Sequence, residues 1–270
     1  MIKGKYFTID AHCHIYPEKI ASLAINHTDN FYDANSFHKG TIDDLFVSSE
    51  EAGIDCCLVQ SVATTPKQVK SINEYIQNSV KFSHGKFIGL GTIHPRSEDI
   101  EGDVNHLIEI GLKGVKIHPD IQGFKADDKG YMKMYELCQK NNLPVLMHTG
   151  DNRYDNSNPN RIVPLLKEFK NLTFIGAHFG GWSIWEEACE KYKEFDNFYV
   201  DTSSSLDYIS LETAEKIIKT YGVDKVLFAT DYPMWNGKVE IDKLLSLNFT
   251  DEEFEKIFSK NAIKVYNLEV

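Results

Sequence analysis

The sequence contains no apolar run close to the roughly 20 residues that a transmembrane helix requires. Its first residues, Met1–Tyr6, lack the apolar core of a signal peptide, so a cytosolic location is expected. Basic residues are also scarce, 29 against 40 acidic ones, and the formal net charge of -11 repels phosphate backbones and anionic lipids. These shortages argue against a membrane role and against a nucleic-acid partner.

Cysteine is sparse as well, with five residues and no C-x-x-C spacing. This pattern indicates neither a disulfide framework nor a zinc ribbon, and it predicts reduced thiols packed as small hydrophobic groups. No Gly/Ser linker or low-complexity segment divides the chain. With 270 residues, 42% of them hydrophobic, the sequence predicts one domain that covers residues 1–270.

Short apolar, β-branched runs alternate along the chain with longer stretches of helical spacing. Such an alternation is typical of a parallel sheet, because each helix returns the chain to the same end of the sheet. Eight repeats predict an α/β fold closed into a (β/α)8 TIM barrel. The predicted strands are Tyr6–Asp10, Asp55–Val62, Phe87–Ile93, Gly114–His118, Pro144–His148, Thr173–His178, Phe198–Thr202 and Val226–Asp231.

Two segments interrupt this alternation, Pro17–Lys39 after the first strand and Asp151–Pro159 after the fifth. Both are long and rich in Asn, Asp and Ser, which predicts lids or binding loops. Between the first of them and the second strand, Thr41 and Asp44 have the spacing of a helix cap.

Polar side chains stand where the predicted strands end, and in a barrel of this kind the chemistry lies at that end. Each of them follows apolar residues, where an unpaired polar group is costly unless it is hydrogen-bonded or bound to a metal. A metal cluster accounts for several of these groups together. They are His12, His14, Ser61, His94, Lys116, His118, His148, His178, Asp201, Thr202 and Asp231.

The central motif is His12-x-His14, whose two imidazoles project from the same side of an extended strand and can share one ion. Imidazole nitrogen suits zinc and its neighbours in the first transition row. Together with histidines and a carboxylate from other strands, the motif is typical of a catalytic metal site that keeps one position open for water. The alternative is a buried pair of hydrogen-bonded histidines.

Six motifs from one end of the chain to the other resemble the amidohydrolase superfamily, and within it the amidohydrolase-2 branch that contains aminocarboxymuconate-semialdehyde decarboxylase. Taken jointly they are specific for the superfamily and poorly specific for the substrate. The motifs are Ile9–His14 (IDAHCH), Gly114–Pro119 (GVKIHP), Leu143–Gly150 (LPVLMHTG), Gly176–Gly181 (GAHFGG), Val200–Ser204 (VDTSS) and Leu227–Pro233 (LFATDYP).

The resemblance implies that His12, His14, His148 and Asp231 bind one divalent ion, with zinc expected and manganese as the alternative. It also implies a barrel of the metal-dependent hydrolase type in which His178 transfers protons. Asp231, besides being a ligand, is expected to act as a second catalytic group that accepts the proton of an attacking water. Some members of the superfamily bridge two metals with a carboxylated lysine, which would fall on Lys116. One metal is expected here.

Four residues are expected to contact a small, carboxylated substrate, namely Lys116, His118, Arg153 and Trp182. The last three have a structural alternative. His118 could only cap its strand, Arg153 could lie in a solvated loop, and Trp182 could fill the core.

The first functional expectation is hydrolysis, in which a metal-activated water attacks the carbonyl of an amide, ester or lactone. The alternative is non-oxidative decarboxylation of an unsaturated or aromatic acid, which needs the same ion and a proton donor. A third hypothesis, from another class, is a catalytically silent barrel that binds a ligand. A homodimer is left open.

Overall fold

Short parallel strands form a closed ring. The structure is a computed structural model and describes Ile2 and residues 4–269 of the chain. Neighbouring strands in the ring pair in parallel. The strands are β1 Ile9–His14, β2 Cys56–Gln60, β3 Phe87–Gly89, β4 Gly91–Thr92, β5 Val115–Ile117, β6 Val145–Met147, β7 Phe174–Gly176, β8 Phe198–Asp201 and β9 Val226–Leu227.

Backbone hydrogen bonds at two places close the ring. β3 and β4 are two pieces of one barrel strand around Leu90, whose N–H donates to the carbonyl of Val59 at 3.0 Å. On the far side, the N–H of Ala11 in β1 donates to the carbonyl of Phe228 at 3.0 Å. The eight positions of the ring confirm the predicted (β/α)8 barrel.

Helices connect the strands and surround the ring, as the alternation predicted. Within the part of the chain that the structure describes, no helix has the length and apolarity to cross a bilayer, and the cytosolic location stays a prediction. The α-helices are α1 Glu18–Tyr32, α2 Ile42–Ala52, α3 Val69–Phe82, α4 Ile100–Glu109, α5 Pro119–Gln122, α6 Lys129–Lys140, α7 Pro159–Glu168, α8 Trp185–Tyr192, α9 Leu211–Tyr221, α10 Gly237–Leu245, α11 Asp251–Glu255 and α12 Asn261–Tyr266.

Alternating side chains of each strand point to opposite sides of the barrel wall. Leu146 and Ala229 belong to the small cluster inside the ring, whereas Val115 and Ile117 pack outside it against the helices. Lys116, between the last two, is buried on the inner side with 1% of its surface exposed. The inner apolar stack therefore supports a layer of polar groups at the carboxyl ends of the strands.

Two sequence-based predictions near the site are wrong, whereas the other predicted strands are shorter at their ends and one is broken at Leu90. The first strand is Ile9–His14 rather than Tyr6–Asp10, and it carries both histidines because His14 N–H still donates to the carbonyl of Tyr232, at 2.6 Å. The segment predicted as the loop Pro17–Lys39 contains the 15-residue helix α1. Its polar residues hid the helical pattern, because most of its apolar side chains are not packed in the core.

Other local predictions are confirmed. The Thr41 hydroxyl accepts a hydrogen bond from the N–H of Asp44 at 3.3 Å and caps α2. The segment between Asp151 and Pro159 is a loop that ends where α7 begins. All five cysteines are buried and free.

Candidate metal centre

Three of the four expected metal ligands converge at the mouth of the barrel. The Nε2 atoms of His12 and His14 lie 3.1 Å apart, and Asp231 Oδ1 lies 3.3 Å from the first and 3.6 Å from the second. Metal–ligand bonds of about 2.1 Å place neighbouring donor atoms about 3.0 to 3.4 Å apart, so these spacings suit a shared ion. The donor set therefore fits a divalent metal.

Asp201, at the end of β8, orients His12. Its Oδ2 accepts the Nδ1 proton of His12 at 2.8 Å, and both side chains are buried. Because Nδ1 is used by Asp201, Nε2 is the nitrogen that faces His14 and Asp231. A carboxylate behind a histidine in this way fixes the tautomer of a metal ligand.

The protonation states of the cluster are those that a metal needs. Burial, together with the neighbouring His12 and Lys116, holds the pKa of His14 well below its usual value. Burial alone would raise the pKa of Asp231, but the His12, His178 and His14 rings hold it below its usual range. At neutral pH the cluster therefore offers a neutral imidazole and an ionised carboxylate.

Two of the expected site residues adopt left-handed backbone conformations, with φ of 62° at His178 and 60° at Asp231. Such conformations are uncommon for residues with side chains and often occur at functional sites. Hydrogen bonds stabilise both. The N–H of His178 donates to Asp201 Oδ1 at 2.9 Å, and the Ser204 hydroxyl donates to Asp231 Oδ2 at 2.6 Å.

His148, the fourth expected ligand, lies beside this group and not within it. Its ring stacks on His118 with centroids 3.9 Å apart, and its Nε2 lies 3.7 Å from Asp120 Oδ2. His118, Asp120 and His148 form a second set of donor atoms, all within 4.8 Å of one another. Asp120 Oδ1 is buried and has no hydrogen-bond partner among the described residues.

A chain of hydrogen bonds assigns one tautomer to each of His118, His148 and His178, which lie beside the His12, His14 and Asp231 cluster. His178 Nδ1 faces the carbonyl of Ser203 at 3.1 Å, so it carries the proton, and its Nε2 accepts from His148 Nδ1 at 3.0 Å. At the other end, His118 Nδ1 accepts from the N–H of Ile121 at 3.2 Å, so its Nε2 donates to the Tyr32 hydroxyl at 2.7 Å.

These tautomers decide which histidine nitrogens can bind a metal. The Nε2 atom of His148 is unprotonated and can either accept from the Tyr32 hydroxyl or bind a metal in its place, whereas the Nε2 of His118 carries a proton and cannot bind a metal. The Tyr32 hydroxyl lies 3.4 Å from His148 Nε2 and completes the chain. His118 is therefore both a cap, at the start of α5, and a hydrogen-bond donor inside the cavity.

Lys116 lies directly beside the donors, with Nζ 3.0 Å from His12 Nε2. Burial lowers the pKa of Lys116 to about 8, against the opposing charges of Asp231 and Asp201. The side chain is therefore largely an ammonium group at pH 7 and places a positive charge on the floor of the site.

The donors open into a cavity of about 890 Å³. Lys116, His118, His178 and Trp182 line it, as expected of residues that contact substrate or transfer protons. Arg153 is not among its lining residues. The guanidinium is paired with Asp151, with Nη2 and Oδ2 2.7 Å apart, and it donates to the carbonyl of Phe31 at the end of α1.

Sequence reasoning missed Tyr32 and Asp120. Tyr32 lies in the segment that was expected to be a loop, and nothing in its neighbours marks it as a site residue. Asp120 follows the GVKIHP motif directly, at the start of α5, and its position next to that motif was the available signal.

Comparison with known proteins identifies relatives of this chain. A family model described as amidohydrolase matches residues 9–268. A 2-amino-3-carboxymuconate-6-semialdehyde decarboxylase from Dictyostelium discoideum is 21% identical over 240 residues, which cover 73% of this chain. The chain spans 66%, just under two thirds, of that relative's length.

Two solved structures share the fold over almost the whole chain. An uncharacterised TIM-barrel protein from Bordetella bronchiseptica has a TM-score of 0.78 and 19% identity, with 96% of this chain and 97% of that chain covered. A dihydroxybenzoic acid decarboxylase from a Polaromonas species, solved with bound manganese and the inhibitor 2-nitroresorcinol, has a TM-score of 0.73 and 17% identity, with 97% of each chain covered. At these identities the likeness shows the fold alone.

Proposed function

The chain belongs to the amidohydrolase family, and from this premise we propose that it is a metal-dependent decarboxylase of an unsaturated or aromatic carboxylic acid. One observation carries the proposal: the buried ammonium group of Lys116 lies 3.0 Å from the metal donor His12. It gives a substrate carboxylate a cation to pair with directly beside the donors. The named decarboxylases among the relatives support this reaction over hydrolysis.

We assign the metal to His12, His14 and Asp231, with His148 as a further ligand through Nε2. A divalent ion bound there would polarise a substrate oxygen and offset negative charge near the breaking bond. Manganese is the first metal to test because the Polaromonas relative holds it, and zinc, the expectation from the sequence, is the second.

The chain's own residues bind and orient the acid. Lys116 pairs with the carboxylate, and His118, just past the end of the same strand β5, can donate its Nε2 proton to the acid in place of the Tyr32 hydroxyl. Trp182 provides an apolar wall for an unsaturated or aromatic group and contacts Tyr32 edge to face, with centroids 5.1 Å apart. The acid is thereby held with its carboxyl group towards the floor.

The reaction breaks the bond between the carboxyl carbon and its neighbour. Carbon dioxide leaves, and a proton takes up the electron pair on the remaining carbon. We assign this proton transfer to His178. Its Nδ1 proton faces the Ser203 carbonyl and its Nε2 accepts from His148 Nδ1, so Nε2 first takes up a proton from solvent and then passes that proton to the carbon. Asp231 acts through its ionised carboxylate as a ligand, and as a proton acceptor only if water is the attacking group, as in hydrolysis.

The test uses protein loaded with manganese or with zinc and a panel of dihydroxybenzoates, unsaturated acids, lactones, esters and amides. We expect carbon dioxide release from an acid and, in deuterated water, one deuterium at the carbon that loses the carboxyl group. Hydrolysis of a lactone, ester or amide without carbon dioxide would make the chain a hydrolase. Failure to bind either metal after reconstitution would make it a silent barrel.

A further inference from the structure

The cavity has two parts of different character. Its floor consists of the polar groups of the metal centre, and much of the rest of its lining comes from α1 and α3. On α1 the lining includes Ile20, Leu23 and Ala24, and on α3 it includes Ile72 and Tyr75. A ligand that reaches the floor through this mouth passes along a mostly apolar surface.

The apolar side of α1 is not covered by the protein. Ala21 is the only fully buried residue of this helix, whereas Ile20 is 47% and Leu23 is 71% exposed. Residues 20, 23 and 24 are three or four positions apart and share one face of the helix. An apolar helix face that borders a cavity and has no protein partner is typical of a ligand-binding surface.

The facing surface belongs to α3. Ile72 and Tyr75 are three residues apart on this helix, so both project from the face that borders the cavity. We define the apolar passage as the space between Ile20, Leu23 and Ala24 on one side and Ile72 and Tyr75 on the other. Water in such a space finds few hydrogen-bond partners and is readily displaced by an apolar group.

The size of the cavity also exceeds what the floor alone requires. Its volume of about 890 Å³ is near the upper end of the range of about 300 to 1,000 Å³ for pockets that hold drug-sized ligands. A single-ring acid that pairs with Lys116 would leave the apolar passage empty. The chain therefore has room for a substrate that is longer than its carboxylated end.

We propose that the substrate is an amphiphilic carboxylic acid, whose carboxyl end lies on the metal-centre floor and whose aryl or alkyl extension fills the apolar passage between α1 and α3. This inference rests on the proposed function for the role of the floor. The apolar extension supplies binding free energy away from the reacting bond.

The test measures binding, so that it does not depend on turnover. Straight-chain alkanoates from butanoate to decanoate are titrated calorimetrically into the manganese-loaded protein. Burial of each additional methylene predicts about a four-fold lower Kd until the passage is filled. A Kd that does not change with chain length would overturn the proposal.

Variants locate the effect. Ile20→Gln and Leu23→Gln keep the side-chain size and helix propensity but make the passage polar. We expect both to reduce the dependence on chain length while the Kd of butanoate stays within about two-fold. The matched control is Val47→Gln on α2, which changes a 56% exposed valine outside the cavity and is expected to leave all affinities unchanged.

The outcomes separate this inference from the proposed reaction. If decanoate binds Ile20→Gln and Leu23→Gln as tightly as the unchanged protein, the passage is not the binding surface. If Ile20→Gln and Leu23→Gln reduce the dependence of Kd on chain length but no acid releases carbon dioxide, binding of an amphiphilic acid is supported and the proposed decarboxylase reaction is wrong. If short acids are decarboxylated but the Kd of the alkanoates does not change with chain length, the proposed reaction is supported and the proposed role of the apolar passage is wrong.

Discussion

His12 and Asp201 join the first strand of the barrel to the seventh position of the ring through a 2.8 Å contact between Nδ1 and Oδ2. Both side chains are buried, so no water competes for the proton. The carboxylate determines which nitrogen of His12 faces the proposed metal. The metal centre thus depends on a residue that does not itself belong to the donor cluster.

We predict that Asp201→Asn lowers metal affinity about 10- to 100-fold, because the amide no longer holds the Nδ1 proton of His12 as a carboxylate does. Competition with a chelator of known affinity measures the change. Ser49→Ala is the control, since Ser49 is equally buried but lies on α2, where its hydroxyl donates to the Phe46 carbonyl outside the cavity lining. Equal losses in the two variants would contradict an orienting role for Oδ2.

His12→Ala and Asp231→Ala are expected to lose bound metal and to stay folded, because each removes a donor atom from the cluster. Elemental analysis and circular dichroism measure the two properties. His38→Ala is the control, since His38 lies outside both sets of donor atoms. Full metal occupancy in either ligand variant would disprove the assignment.

His148→Ala tests the fourth ligand separately. If Nε2 of His148 binds the ion, this variant loses metal affinity by at least an order of magnitude, as expected when a coordinating atom is removed. An unchanged affinity would restrict the metal to His12, His14 and Asp231. The same chelator competition gives the answer.

Tyr32→Phe removes the hydroxyl that lies 2.7 Å from His118 Nε2. Loss of one such hydrogen bond corresponds to about a 2- to 10-fold decrease in kcat/KM. Steady-state kinetics on the acid identified by the substrate panel measure it. Tyr154→Phe is the control, because its ring stacks on Phe31 outside the cavity lining, and a similar loss there would point to a general effect on the loops.

Glu240 gives a pH-dependent stability that does not involve the site. Burial raises the pKa of this carboxyl to about 7, although Lys243 Nζ lies 3.0 Å from Oε1. A buried carboxyl with a raised pKa binds its proton more tightly in the folded state, so it destabilises the protein as pH rises from about 4.5 to 7. The penalty is full above pH 7.

We therefore predict that the gain in the free energy of unfolding from Glu240→Gln is about 1 to 3 kcal/mol larger at pH 8 than at pH 4.5. Urea unfolding at both pH values measures the difference. Glu168→Gln, an exposed change at the end of α7, is the control and is expected to show no such difference. A gain that is equal at both pH values would contradict the titration of Glu240.

The barrel and most of its polar layer could be predicted from the sequence because they follow simple periodicity. Lys116 lies inside because Val115 and Ile117 lie outside, and the histidines mark the ends of their strands. The strand that carries His12 and His14 was placed too early, since its polar end does not look like part of an apolar run.

Other features depend on contacts between distant segments, which periodicity does not encode. The stacking of His118 on His148 joins the ends of the paired strands β5 and β6, far apart in sequence, through their rings. Arg153 was expected to meet an anionic substrate, but Asp151, two residues away, pairs with it first. Helix α1 was missed because its apolar side borders a cavity and not the core.

The hydrogen-bond chain between the N–H of Ile121 and the carbonyl of Ser203 begins and ends on the main chain. Amides only donate and carbonyls only accept, so the polypeptide itself sets the polarity of three imidazoles and one phenol. Reversing that polarity would take a change of backbone path at position 121 or 203. Replacing one of the side chains would break the hydrogen-bond chain at that point, but it would not reverse the direction of the remaining hydrogen bonds.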